Sequence, residues 1–164
     1  MISLQPFTFE SLDRWSYSPH RRAIAQAGGP SEFSARLREL CQVSETTCGI
    51  LDERILFISG IRPTILHLGK PVAAEIWAAP CASVHRYAKE VWRGAKAIHT
   101  NNFLLSIPRV WATVRHDDWH NMNAGFLERL GYQREGTMRH YDAEGRTYSL
   151  YARIHAPENG RASS

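Results

Sequence analysis

The chain has 164 residues, 43% of them hydrophobic and 22% charged, the balance of one ordinary globular domain. Folding at this length removes roughly two-thirds of the surface that the unfolded chain exposes, so a core forms without disulfide, metal or partner. Twenty Lys and Arg against sixteen Asp and Glu leave a net charge of +4, compatible with an anionic ligand without demanding one. No apolar run approaches the ~20 residues of a membrane-spanning helix, and the opening MISLQPFTFE lacks the basic start and apolar stretch of a secretory leader. The expectation is a cytoplasmic enzyme or binding protein with no membrane partner. Cys41, Cys48 and Cys81 are odd in number, widely spaced and form no CxxC pair. They read as reduced, semi-buried residues, not as a disulfide framework or a thiolate zinc site.

The first part of the chain reads as helical and polar. Residues 20–27 can form a short helix; after the Gly28-Gly29-Pro30 break, Ser31 is placed to cap a second one, with Phe33, Leu37 and Leu40 at helical spacing. From Thr47 the pattern changes to short apolar runs bounded by turn residues. Residues 48–51 and 55–58 flank the charged turn Asp52-Glu53-Arg54 and predict a β-hairpin, with Pro63 stopping its second strand near Arg62. A third strand, 72–79, begins after Pro71 and ends at Pro80; its period of two puts Ala73, Glu75, Trp77 and Ala79 on one face.

Ser83 then opens an amphipathic helix. Val84, Tyr87, Ala88, Val91, Trp92, Ala95 and Ile98 share one side, and Arg86, Lys89, Arg93 and Lys96 form a stripe on the other. After an irregular stretch, 110–114 reads as a buried strand, being β-branched and aromatic. A further helix follows, capped by Asp118 or Asn121, with Phe126, Leu127 and Leu130 inside and Gly131 as its left-handed terminator. Segments 132–141 and 146–155 are strand-length and joined by the turn Asp142-Ala-Glu-Gly145. Two N-terminal helices, a mostly antiparallel mixed sheet and two inserted helices make an α/β (α+β) domain over 1–156. The polar tail 157–164 carries too little apolar surface to hold order.

That order of elements, with the run Phe126-Leu-Glu-Arg-Leu-Gly-Tyr-Gln-Arg-Glu-Gly136 followed by Met138-Arg-His-Tyr141 and Tyr148-Ser-Leu-Tyr-Ala-Arg153, resembles the GNAT acyltransferase superfamily over residues 47–154. Within it, the wording around Leu127-Glu-Arg-Leu-Gly131 resembles phage- and prophage-borne members. The resemblance implies a V-shaped opening between two splayed parallel strands in which acetyl-CoA lies as cosubstrate. Strand 72–79 would then be the splayed strand whose backbone at Ala78 and Ala79 pairs with the pantetheine arm. Ser83, Val84, His85, Arg86, Tyr87 and Ala88 would be the pyrophosphate loop, where free N–H groups and the helix dipole attract phosphate. The superfamily loop runs Gln or Arg, two residues, Gly, one residue, then Gly or Ala; the matching residues are Ser83, Arg86 and Ala88, of which only the last conforms. Arg86 replaces a glycine where backbone must approach phosphate, yet its guanidinium suits phosphate oxygens.

Acetyl transfer to an amine needs a base for the ammonium proton and donors that polarise the thioester. Glu75 is the only acid in the 72–79 strand, on the same face as Trp77, and, by the resemblance, would be the matching base. A sheet carboxylate that merely faces water or a neighbour is the competing account of the same residue. Many members protonate the departing thiolate with a Tyr on the second inserted helix; the matching residue is Leu127, and Tyr132, His120 or water are the substitutes.

The run His116-Asp-Asp-Trp-His120 has ligand-type residues, but capping Asp and solvated His account for it at a strand-to-helix junction. Trp77, Trp92, Trp111 and Trp119 each fall in an apolar segment and read as core. The acceptor is an amine-bearing small molecule or protein, and a homodimer is an allowed assembly. Two other readings stay open: a catalytically silent GNAT-like structural or interaction module of phage origin, and a nucleic-acid-associated protein using the basic helical stripe. Residues 83–115 hold six basic residues against Glu90 alone, while the rest of the chain has fourteen against fifteen acids, so the charge surplus is local to that helix and the strand after it.

Overall fold

The computed structural model describes residues 1–8, 30–81, 84–117 and 120–155. The helix expected at 20–27, Ser83, Asp118, Trp119 and the tail 157–164 lie outside them. The described elements are β1 (Ser3–Pro6), α1 (Pro30–Gln42), β2 (Glu45–Leu51), β3 (Arg54–His67), β4 (Lys70–Pro80), a 3-10 turn (Val84–Tyr87), α2 (Ala88–His99), α3 (Asn102–Leu105), β5 (Arg109–Arg115), α4 (His120–Arg129), β6 (Gln133–Met138) and β7 (Tyr148–Ile154). The strands form one mixed sheet in the order β1-β2-β3-β4-β5-β7-β6. The β1/β2, β2/β3, β5/β7 and β6/β7 pairs are antiparallel, and β4/β5 is parallel. The contacts divide the chain into two compact units, Met1–Arg62 with Ile76–Ile98 and Pro63–Glu75 with His99–Ser164.

The first unit is built on a core of Leu37, Cys41, Cys48, Ile55 and Ile58, against which Phe7, Ile50, Trp77 and Ala79 pack. Each fully buried aliphatic side chain of this kind contributes about 1.5–3 kcal/mol. Burial also pushes the Cys41 thiol up to about 11 and raises Cys48, so both behave as small hydrophobes, and all three cysteines are free and buried. The chain opens with a strand where the sequence reads as helical: β1 is exposed at all four positions, so no apolar alternation marks it, and only its ladder to β2 defines it. The β2–β3 connection is shorter than the three-residue turn expected. Asp52 and Glu53 alone occupy it, both at positive φ (48° and 62°), while Arg54 already belongs to β3. That is the two-residue turn whose twist matches antiparallel strands.

The Phe57 ring, with Ile2 beside it, limits how closely α2 approaches the sheet. A Cβ added at Gly49 of β2 would lie 2.4 Å from the Phe57 ring of β3, and one at Gly94 of α2 would lie 3.0 Å from it. The ring therefore fills a slot that two missing side chains leave open. Gly94 is buried, whereas Ala88, expected on the inner face of this helix, is exposed. The first turn from Val84 is 3-10, and the α-helical ladder starts only at Ala88.

The second unit holds the distal parts of β3 and β4 with β5, β6, β7, α3 and α4. Pro63 does not end β3, which continues to His67. The β2 register stops at the Glu45–Ile61 pair, so past that point β3 can carry a residue without an N–H towards β2. The irregular stretch before β5 contains the one-turn α3, its N-cap supplied by Asn101, whose side chain accepts from the Phe103 N–H at 2.9 Å. Leu104, Ile107, Val110 and Tyr151 are fully buried here. Asn121 lies inside α4, not at its cap. Gly131 does terminate that helix: at φ 88° its N–H reaches Glu128 O at 2.9 Å, and Tyr132 N–H reaches Leu127 O at 3.1 Å, the paired bonds of a left-handed helix stop.

The β6–β7 strands are shorter than expected, and one carboxylate organises the connection. Gly145 N–H donates to Asp142 O at 2.9 Å, closing the turn. Asp142 Oδ1 accepts from the Arg146 N–H at 2.9 Å, and Oδ2 accepts from the Tyr148 phenol at 2.9 Å and from the Arg146 guanidinium. Loss of water works against its charge, but these donors outweigh that and hold the carboxyl at about 2.

Two consequences are measurable. Gly49→Ala is expected to cost roughly 1–3 kcal/mol in chemical denaturation, with Phe57→Leu in the same chain recovering part of it; an unchanged midpoint would show that the ring is not confined. Asp142 has a depressed folded-state pKa, so its stabilisation is present above the ordinary carboxylate value and disappears as pH falls from about 4 to about 2. The Tm difference between the native chain and Asp142→Asn should therefore narrow over that interval, and a constant difference would show that the carboxylate charge does not matter.

Candidate functional site

In the first unit the residues of interest follow one another along the chain. Trp77 anchors the later half of β4: its indole N–H donates to Ser44 Oγ at 3.0 Å, and its carbonyl accepts from Ser59 Oγ at 2.9 Å. Beyond it, Ala79 packs on the core and Ala78 is exposed, so β4 ends with two short side chains that leave its backbone approachable. Past Pro80, Cys81 N–H donates to Leu56 O at 2.8 Å, and Val84 N–H donates to Cys81 O at 3.1 Å. The 3-10 turn follows directly, carrying no acid in its first turn. His85, Arg86 and Ala88 are exposed, and Val84 and Tyr87 are half-buried. Ala78, Ala79 and residues 84–88 all belong to the first unit.

The charge surplus is narrower than the sequence shows. Arg109 is paired with Glu135 and Arg115 with Asp117, and Arg86, Lys89, Arg93 and Lys96 are exposed on the 3-10 turn and α2. Only Arg86 stands at the helix start. Its guanidinium and the N–H groups that begin the helix are the two features here able to hold a phosphate.

In the second unit Glu75 is half-buried on β4, opposite Trp111 in the parallel register that also pairs Ala73 with Arg109 and Ala74 with Val110. Trp111 is itself held, its indole N–H 3.4 Å from Thr64 Oγ1. Trp77, Trp92 and Trp111 are all half-buried, as core-edge residues are. Of the three substitutes considered for the absent tyrosine, Tyr132 is already committed. It is buried, its hydroxyl lies 3.1 Å from His99 Nε2, and burial raises its pKa further from any proton-donating range. Leu127 is aliphatic and half-buried.

His120 belongs to a cluster that sequence reading missed. Ser149 of β7 is fully buried, and two imidazoles meet its hydroxyl: His116 Nε2 at 2.8 Å and His120 Nε2 at 3.2 Å, with ring centroids 4.3 Å apart. The backbone sets both rings, through His116 N–H to Thr147 O at 2.9 Å and His120 N–H to Asp117 O at 3.0 Å. The signal visible in sequence was the His116-to-His120 spacing; the residue that unites the pair arrives from a distant strand. Among the described residues no group of three or more His, Cys, Asp and Glu is placed to hold a metal ion, and no helix is long and apolar enough to cross a membrane.

No family profile matches the sequence, and no curated protein matches it. Solved structures do match by shape. An acetyltransferase of the GNAT family from Bacillus anthracis superposes with a TM-score of 0.69 at 15% identity, covering 94% of this chain and 95% of that one. Aminoglycoside 6'-acetyltransferase type Ii superposes with a TM-score of 0.68 at 14% identity, covering 94% and 98%. The ribosomal-protein-S18-alanine N-acetyltransferase from Escherichia coli does so at 0.62 and 14%, covering 98% and 99%. At such identities the likeness is one of architecture: the chain has the fold of the GNAT acetyltransferases.

Proposed function

We propose that the chain is an acetyl-CoA-dependent N-acetyltransferase that acylates an amine. The observation carrying this reading is the fold, similar to N-acetyltransferases over almost the whole of both chains. The end of β4 at Pro80 and the 3-10 turn that begins at Val84 support it. In this reading the backbone at Ala78 and Ala79 pairs with the pantetheine arm, and residues 84–88 receive the pyrophosphate. Arg86 supplies by its guanidinium part of what a glycine-lined loop supplies by bare backbone. Glu75 takes the proton that an ammonium must lose before its nitrogen can attack.

The named neighbours act on an aminoglycoside and on an alanine of ribosomal protein S18. An amine on a small molecule or on a protein is accordingly the substrate class proposed here, for a protein working in the cytoplasm. The phage-like wording around Leu127-Glu-Arg-Leu-Gly131 belongs to the same reading. One observation favours a second: Arg86 in place of a glycine and Leu127 in place of a tyrosine are what a silent structural or interaction module with this fold would tolerate.

Calorimetric titration of the full chain with acetyl-CoA separates the two. Saturable heat is expected, weakened roughly tenfold in Arg86→Ala, the size of one exposed charge-assisted phosphate contact. Glu75→Gln should keep that binding while slowing thiol release with an aminoglycoside or an alanyl peptide as acceptor. No heat and no thermal shift would overturn the enzyme reading in favour of the module; unchanged turnover in Glu75→Gln would remove that residue from the mechanism.

A further inference from the structure

The hairpin between β3 and β4 runs past both neighbouring strands. Register with β2 ends at the Glu45–Ile61 pair, and register between β4 and β5 begins at Ala73–Arg109. Among the described strands, residues 62–72 therefore have only each other as ladder partners. Residues 63–70 are all exposed, and a Cβ added at Gly69 would meet nothing within 4 Å, so the tip stands clear of the described chain. On this arm are Ile65, 58% exposed, Leu66, 61% exposed, and Leu68, 89% exposed. Successive residues of a strand point to opposite faces, so Ile65 and Leu66 make both faces of the arm apolar.

The tip is where a Leu is least expected. Leu68 and Gly69 join the strands as a two-residue turn with positive φ at both positions, 51° and 75°. Such a turn favours Asn or Asp before Gly, and a Leu in it is strained as well as exposed. The two-residue turn between β2 and β3 carries the polar pair Asp52 and Glu53 instead. A Leu that costs backbone strain and hides no apolar surface does nothing for the fold, and clustered exposed apolar side chains mark contact surfaces.

Geometry, backbone and charge select what covers it. A tip that is apolar on both faces is buried by a medium that surrounds it, not by a flat protein face laid on one side. Pro63 in β3 and Pro71 in β4 remove N–H donors from the arm, which blunts it as a template for a further strand. From Arg54 to Ala74 the chain carries Arg54, Arg62 and Lys70 and no acid. A second copy of the arm would set like charge against like charge, whereas an anionic surface complements it. Half-buried Trp111 stands against the arm, its indole N–H 3.4 Å from Thr64 Oγ1, an amphipathic ring of the kind that sits at a lipid–water boundary.

We propose that the β3–β4 arm is a lipid-docking hairpin that seats Ile65, Leu66 and Leu68 in the headgroup layer of an anionic membrane surface, with Lys70 among the phosphates. The proposal is independent of the acyl-transfer chemistry. The sequence reads as having no membrane partner because nothing in it spans or exports; neither bears on a hairpin tip that enters only the headgroup layer. At about 3.3 Å per residue, the run from Pro63 to His67 is long enough to carry the tip into an interfacial layer of about 5–10 Å. Together the three side chains hold about as many carbons as one fatty acyl chain, which by itself anchors only marginally and reversibly. The cations are therefore needed as a second attraction, and binding depends on salt and on lipid charge.

Flotation of the full chain with phosphatidylcholine vesicles, with and without phosphatidylserine, tests it. Co-flotation is expected with phosphatidylserine and should weaken as salt rises; no co-flotation, or equal binding to both lipids, overturns docking to an anionic surface. Leu68→Asn supplies a residue the turn favours, so its Tm should hold or rise while affinity for the phosphatidylserine vesicles falls about tenfold or more. Unchanged affinity in this variant overturns insertion of the tip. Lys70→Gln should weaken binding about fivefold at low salt. Hydrogen exchange with vesicles present should slow at residues 64–70; slowing elsewhere with none here overturns the arm as the contact. Without lipid, sedimentation should give the native chain and Leu68→Asn the same mass. A dimer that Leu68→Asn dissolves overturns the lipid in favour of a second copy.

Discussion

The Phe57 ring, held between Gly49 of β2 and Gly94 of α2, is the contact on which the first unit's arrangement depends. An aromatic side chain is large enough to dominate a local core, and here neither flanking residue has a Cβ to keep it out. The helix can therefore lie close against the strands, and its first turn is placed directly after the end of β4. The residues proposed to receive phosphate, 84–88, are a consequence of that placement: the tight bonds from Cys81 to Leu56 and from Val84 to Cys81 leave the helix start little freedom of its own.

The second unit is ordered by polar groups as much as by its core. Ser149 is buried and must be bonded, and the partners it finds are two imidazoles on the segment that turns from β5 into α4. Asp142 does the same for the β6–β7 connection, gathering two backbone N–H groups, a guanidinium and a phenol. Both devices stand at the same end of the antiparallel β5/β7 ladder, where Arg115 faces Tyr148 and Val114 faces Ser149. The bonds that satisfy the buried hydroxyl also fix how the two imidazoles stand against β7.

Much of the fold was legible because it is written in short-range terms. The alternation through Val110, Ala112 and Val114, the helical spacing of Leu37 with its neighbours, and Gly131 at the end of α4 are each decided within a few residues. The misreadings share a cause. β1 has no buried face to give it a pattern, Pro63 sits in a strand because β2 has ended beside it, and Gly94, which offers no apolar side chain, is buried because it meets the Phe57 ring of another element. Each depends on a neighbour distant in sequence.

By itself, then, the sequence determined the order of elements from β2 to β7 apart from the one-turn α3, the helix stop at Gly131, the local surplus of positive charge and the departures at Arg86 and Leu127, because these reside in residue type and short spacing. Tertiary structure alone decided that Arg109 pairs with Glu135 and Arg115 with Asp117, that Tyr132 is spent on His99, and that His116 and His120 share one hydroxyl. A hydrogen bond is selected by distance and direction in space, and no spacing along the chain encodes the arrival of Ser149 between two rings.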